Sequence, residues 1–112
     1  MSEDAAVKIA GRLAELWRTS RPTVLERVTL LNAACDSLSR NPADTEARAT
    51  GLEAAHKLSG VLGVFGLPQG SEIASSIEYL LKSGAPLTTE NLSALRDRIA
   101  SLDEVIASRP DR

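Results

Sequence analysis

The sequence predicts an all-α fold, an antiparallel up-down four-helix bundle with an additional N-terminal helix. Three observations carry this. Apolar residues recur three and four apart through most of the 112 residues, which is the helical period and not the alternation of a strand. Aromatic residues make up only 3% of the chain, with one each of Trp17, Phe65 and Tyr79, so the core must be built from Leu, Ile, Val and Ala. The breaks between the periodic segments are short, and short links make successive helices antiparallel neighbours.

The elements follow in order. A first helix is expected over about 3–17, where Val7, Ala10, Leu13, Ala14 and Trp17 fall on one face. "TSRP" is expected to interrupt it, because Pro22 suits the first turn of a helix and poorly suits an interior. A second helix is expected from about Pro22 to Ser39, with Val24, Val28, Leu31, Cys35 and Leu38 in four–three alternation and Leu25 and Ala34 widening the stripe. "SRNPAD" ends it. Asn41 reads as the cap of the third helix, Pro42 as its first residue, and Asp44 as an acidic group near its positive end.

The third helix is expected from about Pro42 to Val64, with Ala54, Ala55, Leu58, Val61, Leu62 and Phe65 marking its buried side. The fourth runs from about Pro68 to Lys82, with Ile73, Ala74, Ile77, Leu80 and Leu81 inward. Gly84 reads as a stop and Thr88 as the next cap. The fifth carries Leu92, Leu95, Ile99, Leu102 and Ile106, and Pro110 closes it. One domain over 1–112 is the expectation, with a bundle core of about 22–107 and the first helix packed across one end or side, Trp17 inserted.

Bulk composition excludes several function classes. The net charge is −2 and the basic residues form no dense run, so neither a nucleic-acid footprint nor a polybasic membrane patch is present in the sequence. A single cysteine, Cys35, excludes an internal disulfide and a cysteine-rich metal site. No apolar run approaches the roughly 20 residues of a membrane span, and "MSEDAAVKIAG" has no signal-peptide pattern. A cytoplasmic monomer is expected. No phosphate-binding glycine loop, Walker pattern or kinase signature occurs.

One stretch resists this ordinary reading. "AHKLSGVLGVFG", Ala55 to Gly66, holds the chain's one histidine and three of its seven glycines. Glycine in a helix interior costs roughly 1 kcal/mol relative to alanine. His56, Gly60 and Gly63 are spaced four and three and so share a stripe, whereas Leu58, Leu62 and Phe65 lie on another. The histidine is therefore expected to project outward over bare backbone, where a large surface could approach the imidazole. Surface histidines without a role are common, and glycines on a helix face also serve close helix packing. Gly66, next to Pro68, reads as part of a turn.

"AHKLSGVLGVFGL" resembles the signature of histidine-containing phosphotransfer (HPt) domains, a pattern close to A-H-x-L-K-G followed further on by G-L. "SIEYL" falls where those domains end the next helix in L-E or I-Q. The resemblance implies that His56 accepts a phosphoryl group and that Glu78 orients its ring. It implies further that Lys57 contributes positive charge to the phosphoryl group, while Ser59, Gly60 and Gly63 meet the partner. It implies partners that are receiver domains of response regulators, or a hybrid histidine kinase, with Mg²⁺ held on the receiver and no cofactor in this chain. The chain is then a phosphocarrier and not an enzyme. Ser59 departs from the pattern, which commonly has lysine there. Serine donates a hydrogen bond but brings no charge. Two other readings stay open: an adaptor that binds a receiver without transfer, and a generic helical interaction domain.

Overall fold

The computed structural model describes residues 3–84 and 86–109. Among the described residues there are four helices and no strand: α1 (Glu3–Arg40), α2 (Thr45–Val64), α3 (Pro68–Lys82) and α4 (Thr89–Ser108). Each helix packs on its two neighbours, α1 on α2 and α4, α3 on α2 and α4, with none across the diagonal. All four pairings are antiparallel. Trp17 meets Phe65 at one end of the α1–α2 pair, and Ala34 lies by Gly51 further along it. Ser59 faces Ser75 across α2–α3, Arg98 reaches Ser76 across α3–α4, and Arg96 reaches Asp36 across α1–α4.

The chain departs from the sequence expectation at Pro22. Instead of two helices, one 38-residue helix runs through the proline. Pro22 lacks an N–H for the Arg18 carbonyl and its ring crowds that group. Both residues are exposed, on the side of the helix away from the core, where a carbonyl without a helical partner costs least because solvent is at hand. The core stripe Trp17, Val24, Val28, Leu31, Cys35, Leu38 crosses the proline without losing phase. Burial on both sides of Pro22 holds the helix through it.

A second correction concerns the N-terminal segment. It does not fold over an end of the bundle. It continues α1 outward, and the molecule measures 53 × 21 × 20 Å. Of the face expected to be buried, Trp17 is fully enclosed, Leu13 and Ala14 are half-buried, and Val7 and Ala10 are exposed. The bundle ends at the level of Trp17, whose ring packs edge-on to Phe65 with centroids 5.2 Å apart and beneath the Arg109 guanidinium at 5.3 Å. Leu25, expected in the α1 stripe, is exposed.

The start of α2 also moves. Asn41 and Pro42 form a turn rather than the helix start. The Asp44 N–H donates to the Asn41 carbonyl at 3.0 Å, and the Asn41 Oδ1 accepts from Ala43 N at 3.1 Å. Asn first and Pro second is the preferred order in such a turn. Asp44 is the cap, accepting from Ala47 N at 3.0 Å. Thr88 caps α4 by accepting from Asn91 N, as its sequence suggested. Gly66 and Gly84 take the left-handed conformation at the ends of α2 and α3, a conformation that glycine adopts without a Cβ penalty. The stop expected at Pro110 lies outside the described residues.

Two glycines do the close packing that sequence alone could have assigned to any of them. A Cβ on Gly51 would sit 3.1 Å from Leu81 Cδ1 and 3.2 Å from Ala34 Cβ, and one on Gly70 would sit 3.1 Å from Leu62 Cδ1 and 3.2 Å from Val105 Cγ1. At Gly60 a Cβ would meet nothing within 4 Å. Gly51→Leu is therefore expected to lose about 1–3 kcal/mol or more through overpacking, while Gly60→Leu keeps or raises stability. Paired urea denaturation curves check this; equal losses at both positions would contradict the assignment.

Candidate functional site

The α2–α3 register assembles the site. Residue pairs 63–71, 59–75 and 56–78 face one another in an antiparallel ladder of side chains. On α3 the stripe Ser71, Ser75, Glu78 has the same four–three spacing that sets the opposing stripe of α2. Leu58 and Leu62 of α2 and Ala74 and Ile77 of α3 are fully buried beneath, so the polar stripes are held at the seam between the helices and solvent.

His56 projects from α2 with its side chain 75% exposed, and Glu78 reaches across from α3 with its side chain 23% exposed. His56 Nδ1 lies 2.9 Å from Glu78 Oε2 and 3.2 Å from Oε1. An ionised carboxylate only accepts hydrogen bonds. The ring nitrogen facing it therefore carries a proton, and in the neutral ring the lone pair is left on Nε2, on the far edge of the imidazole. Gly60, one turn on from His56, is exposed with open space around its missing Cβ. Gly63 is exposed too, and a Cβ there would stand 3.6 Å from Ser71 Oγ, an ordinary contact.

Ser59 does not project freely. Its Oγ lies 2.6 Å from Ser75 Oγ, and its carbonyl accepts from Ser71 Oγ at 2.7 Å. These three serines clamp α2 to α3 directly below the histidine. Ser71 and Ser75 were absent from the sequence reading, although stepping back from Glu78 by three and then four would have reached both.

Lys57 lies elsewhere. Its Nζ is 2.7 Å from Glu53 Oε1 one turn back along α2, and the two line a shallow hollow against Arg27 and Leu30 of α1. The lysine ammonium holds the Glu53 carboxyl below the usual carboxylate range. The structure thus brings together His56, Glu78, Ser59, Gly60 and Gly63, and places Lys57 on the neighbouring side of the helix.

A concavity at the α1–α2 turn, lined by Pro42, Ala43, Asp44, Thr45, Arg48, Gly84 and Pro86, includes no residue of this site. Val64, two turns further along α2 at its end, and Tyr79, next to Glu78 on α3, are exposed at 69% and 79%. Among the described residues no three His, Cys, Asp or Glu side chains gather as a metal site, and no helix is long and apolar enough to cross a membrane.

This arrangement of a four-helix bundle with an outward histidine on a glycine-bared stripe coincides with a known family: the Hpt domain matches residues 15–105, and the chain belongs to that family, a phosphotransfer carrier family of two-component signalling. The chain is 28% identical over 103 residues to Protein RcaC of Microchaete diplosiphon, a match that covers 92% of this chain and 16% of that protein. The chain therefore spans about a sixth of the length of the relative it matches. No solved structure shows a significant match.

The Nδ1 contact has a spectroscopic consequence. In the intact chain near neutral pH the ¹⁵N shifts of His56 are expected to report an Nδ1–H tautomer. In Glu78→Ala they should move toward the mixture of a free imidazole. An unchanged tautomer in the variant would show that the carboxylate does not set it.

Proposed function

We propose that this chain is a phosphorelay intermediate of the cytoplasm, in which His56 accepts a phosphoryl group from a receiver-domain aspartate and passes it to another. The observation that carries the reading is the exposed imidazole whose Nδ1 is held by Glu78, with Gly60 one turn on leaving its own surroundings open. A neutral imidazole protonated at Nδ1 keeps a lone pair on Nε2 and is a nucleophile. Nε2 attacks phosphorus in line with the departing oxygen. The N–P bond forms, the aspartyl O–P bond breaks, and the aspartate leaves as a carboxylate. Glu78 offsets the positive charge that develops on the ring. Onward transfer is the reverse, with a second receiver's carboxylate as nucleophile. Mg²⁺ belongs to the receiver in this reading.

Lys57 Nζ is paired with Glu53, and the Ser59 hydroxyl shares a hydrogen bond with Ser75 in which either can donate, so both already have partners away from the imidazole. Both contacts favour, as a second reading, an adaptor that docks a receiver without accepting phosphate. Receiver domains labelled at their aspartates distinguish the two: an acid-labile, base-stable phosphate on this chain supports transfer, and docking with no label supports the adaptor.

His56→Gln is expected to abolish labelling while helical content and thermal midpoint barely move, since exposed substitutions usually stay within about 0.5 kcal/mol. Glu78→Ala is expected to slow single-turnover transfer on the order of tenfold, or about 1.4 kcal/mol of transition-state stabilisation; wild-type kinetics would remove Glu78 from the mechanism.

Access gives a sharper test. Gly60→Leu places a branched side chain one turn from His56 on the same face. It is expected to keep a receiver from bringing its phosphate within about 3 Å of the ring, so transfer from receivers falls sharply. Phosphoramidate, a small donor, should still label His56. Equal loss with both donors would show that the leucine disturbs the histidine itself and not the approach of a protein.

A further inference from the structure

The first four turns of α1 carry apolar side chains that no other described residue covers. Val7 is 70%, Ile9 49% and Leu16 46% exposed, and residues 3–14 lie ahead of the segment that matches the Hpt domain. Beside Val7, and away from Ile9 and Leu16, runs a stripe at four–three spacing: Asp4, Lys8, Gly11, Glu15, Arg18, all exposed. Its charges read minus, plus, none, minus, plus. Reversed end for end about Gly11, the same stripe reads plus, minus, none, plus, minus.

We propose that this segment is the docking surface for a second copy of the chain, paired antiparallel about Gly11. In that register Asp4 of each copy meets Arg18 of the other, and Lys8 comes beside Glu15. A parallel pairing would set like charges together throughout. Next to the charged stripe lie Val7, Ala10 and Ala14, so Val7 of one copy meets Ala14 of the other and the small residues meet at the centre. A Cβ on Gly11 would touch nothing within 4 Å, which leaves room for a second helix backbone to approach closely.

The two bundle bodies begin at Trp17 of each copy, at opposite ends of the paired segment, and Arg18 there is exposed on a different side of the helix from buried Trp17, so neither body obstructs the other. The paired segment is about 21 Å long at 1.5 Å per residue, which makes a small interface and a dimer that dissociates readily. A membrane surface fits the segment less well, since its exposed charges are balanced and lack the cationic excess that anionic lipid selects. The proposal departs from the monomer expected from sequence alone, and it does not depend on the phosphotransfer reading.

Sedimentation equilibrium of the whole chain, from about 10 µM to about 1 mM, tests it. The expected result is a mass rising from 11.9 kDa toward twice that value, with Ala10→Glu remaining monomeric. A constant monomer mass across that range overturns the proposal. Asp4→Arg and Arg18→Asp are each expected to weaken self-association about fivefold or more, because each meets a like charge in its own homodimer. Mixed in equal amounts, the two variants should associate about as well as the wild type, since both 4–18 contacts then pair opposite charges, one with its native signs and one with them exchanged. Asp4 and Arg18 are about 21 Å apart within one helix, so such rescue cannot arise inside one chain. Mixtures as weak as the separate variants overturn the antiparallel register. A chain that stays monomeric but co-sediments with vesicles containing phosphatidylglycerol overturns the proposal in favour of a lipid surface.

Discussion

The lateral fit of α2 against α3 is the constraint on which the site depends. His56 and Glu78 are 22 residues apart in sequence and sit on different helices. Their contact exists only because the helices are close and in one register. Gly70 lets α3 approach Leu62, Ala55 and Ala74 are fully buried at the seam, and the serines at 59, 71 and 75 lock the register by hydrogen bonds. A slip of one residue would turn Glu78 by about 100° around α3, away from the imidazole. The hydrogen bond at the ring is thus the last link of a chain of packing contacts, and the acidic side chain needs no turn or loop to hold it.

The other end of the bundle is closed by different means. Trp17 of α1, Phe65 at the end of α2 and Arg109 after α4 gather two rings and a guanidinium in one cluster. An edge-to-face ring pair contributes about 0.5–1.5 kcal/mol beyond its buried area. In a chain with so few aromatic residues, placing two of them together where three helix ends converge fills with large rigid groups a space that aliphatic side chains fill poorly. The α1 helix projects beyond this cluster, past the level at which α2 and α4 end.

Much of the fold was legible because helical periodicity is strong in Leu31, Cys35 and Leu38, in Leu58 and Leu62, and in Leu95, Ile99, Leu102 and Ile106. The outward stripe of His56, Gly60 and Gly63 was legible for the same reason. Pro22 misled because a local rule about proline outweighed a stripe that stayed in phase across it, and tertiary burial decided the outcome. Asn41 misled because Asn-Pro suits both a helix start and a turn, and the backbone bonds that choose between them depend on where Asp44 lies. Lys57 shows a further limit. Its position after the histidine is plain in the sequence, but its pairing with Glu53 follows from a competition between neighbouring charges that spacing alone does not resolve.

The bare backbone around Gly60 places a limit on how this protein can evolve. Most exposed helix positions can drift toward residues that favour helix, and natural chains gain stability this way at little cost. Here the open space beside the histidine is the feature that a partner would require, and helix-favouring side chains larger than alanine would occupy it. The stability of α2 and the accessibility of its histidine therefore draw on the same few positions in opposite directions. Compensation has to come from remote sites such as the Trp17 cluster or the capping residues Asp44 and Thr88, which can strengthen the bundle without touching the stripe of His56, Gly60 and Gly63.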